Sequence, residues 1–310
     1  MATELPTSPL REDDLRLALA QAAERLHAAG VESPRREARL LLAHALGAGA
    51  EDLVAGNIPA VPADALARFE SALARRAARE PLAYIVGFRE FWSLDFAVGP
   101  GVLVPRPESE ILIEEALRRF PDSGAPLRVL DLGTGSGCLL LAFLSERPNA
   151  TGVGVDISET ALATAARNAK ALGMQDRTQL RRGDWTENIT ETFDAIFVNP
   201  PYIAGSELPA LDPEVTVYEP RVALDGGPDG LAAYRRLAGL LADFLNPRGH
   251  GFFEIGQGQV NPVVTIFAQQ EFRIEATVCD LARIPRCLVI GPPGEKLAPK
   301  KQLALRSRSG

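Results

Sequence analysis

Residues 128–144 read RVLDLGTGSGCLLLAFL, and this stretch restricts the fold more tightly than any other in the 310-residue chain. The run Val129-Leu130-Asp131-Leu132 breaks at Gly133, Gly135 and Gly137, then resumes as Leu139-Leu140-Leu141. Glycines at this spacing let a strand turn tightly into a helix and bring the backbone close to a ligand. Strand-like runs follow the same logic at residues 127–132, 151–155, 195–198, 251–255 and 288–290, and a third strand-like segment precedes RRGDW. Helical patterns lie between them, notably over 158–172 and 230–245. Alternating strands and helices predict an α/β fold with a doubly wound, mostly parallel sheet, here over residues 107–290.

The segment before the sheet is different. Apolar residues at helical spacing (Leu15, Leu19, Ala22, Ala23, Leu26, then Leu40, Leu41, Ala45, Leu46) predict a small all-helical bundle over 11–82. Ser33-Pro34 offers an N-cap and a first-turn proline, and a third helix is expected from about Asp64 to Arg79. Aromatic and β-branched residues thicken over 83–106, read as a hairpin-like connector. Residues 1–10 are expected to be a flexible N-terminus, and 291–310 a disordered tail.

Composition narrows the class. The net charge is −7, so the chain carries no overall basic footprint for nucleic acid. Cys138, Cys279 and Cys287 are unpaired in spacing, which suits a reducing cytosol, and the three histidines are scattered, so no zinc-type cluster is expected. The opening MATELPTSPLREDD is no secretory signal, and no apolar run approaches the ~20 residues that span a bilayer.

The turn Gly133-Thr134-Gly135-Ser136-Gly137 ends at a helix N-terminus, whose partial positive charge suits a carboxylate or phosphate. The next strand ends in Asp156, an acceptor-only group suited to a pair of ribose hydroxyls. Turn and acid together fit either a dinucleotide or S-adenosylmethionine. The spacing is G-x-G-x-G rather than G-x-G-x-x-G, and Asp131 would repel a pyrophosphate while suiting the amino group of a methionine moiety. Asp184 and Trp185 are expected at the same rim, beside adenine.

The fourth strand ends in Asn199-Pro200-Pro201-Tyr202, at the carboxyl rim where doubly wound sheets bind ligands. A planar NH₂ group is a poor nucleophile, and a site helps by accepting both its hydrogens. The Asn199 side-chain oxygen and the Pro200 carbonyl can do so, the prolines stiffen the backbone, and Tyr202 offers a flat face.

The glycine turn and Asn-Pro-Pro-Tyr together resemble those of amino-group methyltransferases acting on adenine, guanine or glutamine amides. Residues 84–110, YIVGFREFWSLDFAVGPGVLVPRPESE, and 218–237, YEPRVALDGGPDGLAAYRRL, are similar to segments of protein-glutamine methyltransferases, as is the helical bundle. Over roughly residues 12–290 the chain resembles the peptide chain release factor glutamine methyltransferases. The resemblance implies a Rossmann-like methyltransferase sheet of seven strands. It implies methylation of the glutamine in the Gly-Gly-Gln loop of class I release factors, modulating translation termination, with S-adenosyl-L-homocysteine as product.

By position, Asp131, Gly133 to Gly137, Asp156, Asp184, Trp185 and Asn199 would hold the cofactor. Asn199, Pro200, Pro201 and Tyr202 would hold the glutamine amide, with Asn199, Pro200 and Tyr202 as the catalytic set. The resemblance further implies a cytoplasmic monomer that contacts neither nucleic acid nor membrane. Ser109 departs from the threonine common in the family but keeps the hydroxyl. A ribosomal-protein glutamine methyltransferase shares the same chemistry. A DNA adenine or ribosomal RNA guanine enzyme would need phosphate contacts for which the chain has no basic module. A non-catalytic scaffold would not need Asn199.

Overall fold

The structure, a computed structural model, describes residues 12–49 and 62–294. Residues 1–10, expected to be flexible, and the tail beyond Gly294 lie outside the described residues. Helices α1 (Glu12–Ala28), α2 (Pro34–Leu46) and α3 (Ala63–Ala77) pack around Leu26, Leu41, Leu42, Phe69 and Leu73. Pro34 occupies the first turn of α2, but the Ser33 side chain makes no capping bond. A short helix, α4 (Leu82–Val86), precedes an antiparallel hairpin of β1 (Phe88–Phe91) and β2 (Leu94–Ala97). The helix was not read from the sequence. Phe91 and Phe96 of the hairpin pack into the same core as Leu112 and Phe143.

After α5 (Glu110–Arg119) the chain alternates: β3 (Arg128–Leu132), α6 (Cys138–Glu146), β4 (Thr151–Asp156), α7 (Glu159–Ala171), β5 (Thr178–Arg182), β6 (Phe193–Val198), α8 (Ala232–Ala238), β7 (Leu245–Glu254), α9 (Val260–Gln269), β8 (Phe272–Cys279) and β9 (Pro285–Pro293). The seven sheet strands lie in the order β5-β4-β3-β6-β7-β9-β8, parallel except for the pairings of β9 with β7 and β8. One face buries Tyr234, Leu237 and Phe267, the other Leu112, Phe143 and Phe252. Strands covered on both faces read as continuous apolar runs, as in Ala195-Ile196-Phe197-Val198, each at most 1% exposed.

Three expectations need correction. The helical run over 230–245 is one short helix, α8, then a 3₁₀ turn at Leu241–Asp243, and Leu245 already begins β7. Asn246 precedes Pro247, and a residue before proline is driven out of helical backbone into extended backbone. Strand β8 went unread because Arg273 and Glu275 interrupt its apolar residues, as an edge strand allows. Residues 291–293, placed in a disordered tail, continue β9. No helix among the described residues is long and apolar enough to cross a membrane.

The bundle is tied to the sheet domain by charge. Arg76 of α3 is 5% exposed and donates to Glu37 at 2.5 Å and to Glu214 at 2.8 Å. Arg79 donates to Glu214 at 2.5 Å, and the Tyr218 hydroxyl donates to the Ala78 carbonyl at 2.8 Å. Glu214 and Tyr218 bound a π-helical turn in the long loop after β6. Removing one partner of such a cluster strands the others without compensation. Arg76→Met should cost about 3 kcal/mol in urea unfolding. A loss below about 1 kcal/mol, the level of a surface pair, would show that the cluster does not hold the two regions together.

Candidate active site

The ladder register sets Leu132 opposite Val155 on one side and Val198 on the other. The residues that follow (Gly133, Asp156 and Asn199) therefore reach one rim of the sheet. From β3 the chain first winds outward to β4 and β5, then returns to the other side of β3 with β6. That reversal is the switch point at which open α/β sheets form a crevice. A cavity of about 450 Å³ opens there. Its wall includes Gly133, Thr134, Gly135, Ser136, Asp156, Asp184, Trp185, Asn199 and Pro201, with Arg106 from the connector and Ser109 from the turn that follows it.

Gly133, Gly135 and Gly137 have φ of +71°, +57° and +81°, the left-handed region that glycine tolerates. Their amides are largely used internally. The N–H groups of Gly133 and Thr134 donate to the Val155 carbonyl at 2.9 and 3.0 Å, that of Gly135 to Asp156 Oδ2 at 2.9 Å, and that of Gly137 to the Thr134 carbonyl at 2.7 Å. The turn is thus locked onto β4 and presents few donors to an anion.

Asp131 lies beneath the turn, 1% exposed. Its Oδ2 accepts from Thr134 Oγ1 at 2.6 Å, while Oδ1 is buried with no hydrogen-bond partner among the described residues, and Asp131 is not itself a wall residue of the cavity. Burial pushes its pKa up to about 7; Asp156 adds to the rise, and Thr134 and the Leu140 amide oppose it. Asp156 accepts Gly135 N–H on one oxygen and Ser158 N–H on the other, both at 2.9 Å. Each oxygen thus has acceptor capacity left, and Asp156 lies on the cavity wall. Burial raises its pKa too, against those two amides.

The remaining expected residues divide. Asp184 lines the cavity, but its carboxylate pairs with Arg236 at 2.8 Å. Trp185, at φ +60°, packs against the core and lies beside Gly133. Asn199 lies on the wall, its Nδ2 donating to Ser109 Oγ at 3.4 Å. No described donor reaches the Pro200 carbonyl. Pro200 is buried, and neither it nor Tyr202 is among the wall residues. Tyr202 was expected to offer a flat face to a planar group; its hydroxyl donates to Glu254 Oε1 at 3.1 Å and its half-buried ring packs on the core.

Sequence reasoning missed Glu254 and the Arg106–Glu219 pair. Glu254 is 2% exposed and accepts from Ser109 and Tyr202. Its signal is a lone acid inside the apolar run Phe252-Phe253-Glu254-Ile255. Arg106 donates to both oxygens of buried Glu219 at 2.8 Å, joining the connector to the loop after β6 beside the cavity. Among the described residues, no group of three or more His, Cys, Asp or Glu is set to hold a metal ion.

Residues 18–87 match the family described as the PrmC N-terminal domain, and residues 108–213 match the methyltransferase small domain. A release factor glutamine methyltransferase of Rhodospirillum rubrum is 43% identical over 87% of this chain and 83% of its own length. The chain belongs to the release factor glutamine methyltransferase family. Relatives of the same description in Caulobacter vibrioides (42% identical, 86% of this chain and 93% of that one) and Cereibacter sphaeroides (48%, 78% and 85%) extend the match. As a member of this family, the chain is an S-adenosylmethionine-dependent methyltransferase.

The titration of Asp131 makes a prediction for the free protein. Its pKa is about 7 folded and about 3.9 unfolded, so the stability it contributes is full below the unfolded value and is lost as pH rises through about 7. Thermal melts should show the wild type falling behind Asp131→Asn from about pH 4 to 7 by roughly 4 kcal/mol, then levelling off. A constant gap between the two across that range would contradict the burial assigned to Asp131.

Proposed function

We propose that the cavity holds S-adenosylmethionine and that the chain methylates the side-chain amide of the glutamine in the Gly-Gly-Gln loop of class I release factors, as a cytoplasmic monomer. One observation carries the cofactor reading: the unpartnered, fully buried Asp131 Oδ1. A buried carboxylate without a partner is costly, and a cationic group brought beside it relieves that cost. The inward-turned amides of the glycine turn favour the same reading over a pyrophosphate. The free lone pairs of Asp156 fit a ribose diol, and Trp185 supplies a flat wall for adenine. Asp184, held by Arg236, contributes an edge of that wall rather than a free acceptor.

When bound, S-adenosylmethionine supplies an electrophilic methyl on a sulfonium. The chain's own residues hold the nucleophile. The Asn199 side-chain oxygen and the Pro200 carbonyl accept the two hydrogens of the incoming amide, and Pro201 stiffens the rim between them and Tyr202. The residues at the rim then place the amide nitrogen toward the methyl. Positioning of this kind can supply about 7–11 kcal/mol of a barrier. A lysine ammonium carries three hydrogens and no lone pair, so two acceptors do not suit it. Ile157 and Val222 stand exposed beside the same cavity, an apolar margin suited to a folded protein. The net charge of −7 suits a protein partner better than nucleic acid.

Asn199→Ala should lose turnover on a release factor by on the order of 100-fold or more. Calorimetry should show S-adenosyl-L-homocysteine still bound, since Asp131 and Asp156 are intact. Near-normal methyl transfer by Asn199→Ala would refute its role.

A further inference from the structure

Asn199 can accept from a substrate amide only if its own amide is the right way round. Rotated by half a turn, it would present NH₂ to NH₂. We infer that Glu254, acting through Ser109, is the positioning residue that sets this orientation. The inference rests on the reading of Asn199 as an acceptor for the glutamine amide.

The number of protons available fixes the orientation. Glu254 ends β7, and Ser109 closes the 3₁₀ turn Pro107–Ser109; each is 2% exposed. The Ser109 hydroxyl donates to Glu254 Oε2, and the Tyr202 hydroxyl donates to Oε1 at 3.1 Å. A serine hydroxyl has one proton. A buried carboxylate is the strongest acceptor within its reach, so the proton points there. The hydroxyl oxygen can then only accept, and Asn199 Nδ2 donates to it at 3.4 Å. The opposite orientation would set two acceptor oxygens against each other with no hydrogen between them. Asn199 Oδ1 is thereby turned away from Ser109 and left as an acceptor.

Burial raises the Glu254 pKa above the usual carboxylate value and Glu108 adds to the rise, against the Ser109 and Tyr202 hydroxyls and Arg286; a hydroxyl donating to each oxygen is the arrangement that suits the ionised form. Tyr202 takes part by filling the second carboxylate oxygen, which confines Ser109 to the first. Its hydroxyl, rather than its ring face, is the part the arrangement uses.

Glu254→Gln keeps the shape but offers one acceptor and one donor where two acceptors stood. One hydroxyl must then reverse. When Ser109 does so, its proton points at Asn199 and favours the flipped amide. On a release factor, kcat should fall on the order of 100-fold. KM for S-adenosylmethionine, affinity for S-adenosyl-L-homocysteine and melting temperature should stay near wild type. Ser109→Ala should lose kcat similarly, Ser109→Thr should recover most of it, and the double variant Ser109→Ala/Glu254→Gln should be no worse than Ser109→Ala, since both act along one chain of bonds.

A readout without turnover is the Asn199 side-chain NH₂ in protein labelled with ¹⁵N at asparagine. In the wild type it should give one hydrogen-bonded, slowly exchanging proton, which Glu254→Gln removes. Wild-type turnover by Glu254→Gln, multiplying losses in the double variant, or a Ser109→Thr as impaired as Ser109→Ala would each overturn the inference. Should Glu254→Gln fail to fold, the Ser109 pair decides alone. Wild-type protein assayed in the same series separates the two claims. Failure of the wild type to label the glutamine sinks the substrate reading, whereas a labelled glutamine with an unimpaired Glu254→Gln sinks only this inference.

Discussion

The parallel ladder joining β4, β3 and β6 is the constraint on which the site depends. Because Leu132 sits level with Val155 and Val198, the next residue on each chain segment reaches the rim at the same height. A slip of one residue would turn every side chain of a strand to the opposite face and carry Asp131 out from under the turn. Burial on both faces fixes that register, since Val129, Leu130, Ala195, Ile196 and Phe197 are each at most 1% exposed. The glycine turn is then secured to β4 through Val155 and Asp156, so the first wall of the cavity is an extension of the ladder.

Two buried carboxylates lie behind the crevice wall, Asp131 against Thr134 and Glu254 against Ser109, and their surroundings separate their roles. Asp131 has one oxygen satisfied by Thr134 and one unpartnered. It is incomplete within the protein and suited to a cationic ligand. Glu254 has a hydroxyl on each oxygen and is complete. Its charge is used inward, to orient hydroxyl protons. At Glu254 the two hydroxyls offset the cost of the buried charge, whereas at Asp131 the cost remains in the free protein. The Arg106–Glu219 pair and the Arg76–Glu214–Arg79 cluster play a coarser part, fastening the long loop after β6 to the connector and to the bundle.

What could be read in advance was local. Asp131, the glycine turn, Asp156 and Asn199 lie within or just past single strands, and chain order alone puts them at one rim. What could not be read was pairing across the chain. Ser109 and Glu254 are 145 residues apart, and Arg106 and Glu219 are 113 apart. No periodicity records either. Asp184 was expected beside adenine, and its pairing with Arg236 could not be read because Arg236 stands far off in sequence. Tyr202 was assigned by its ring when its hydroxyl is the group with a partner. That the glycine-turn amides are spent on the neighbouring strand was equally out of reach, because the carbonyl that takes two of them belongs to β4. Strand β8 shows the same limit in the fold, since an edge strand needs only part of an apolar pattern.

The central claim is that this rim presents a glutamine amide for methylation. The most direct measurement is tandem mass spectrometry of a class I release factor incubated with the protein and S-adenosylmethionine carrying a deuterated methyl group. The account predicts one labelled methyl on the side-chain nitrogen of the Gly-Gly-Gln glutamine, and none when that glutamine is replaced. Label on any other residue, or equal label on the factor lacking that glutamine, would contradict it.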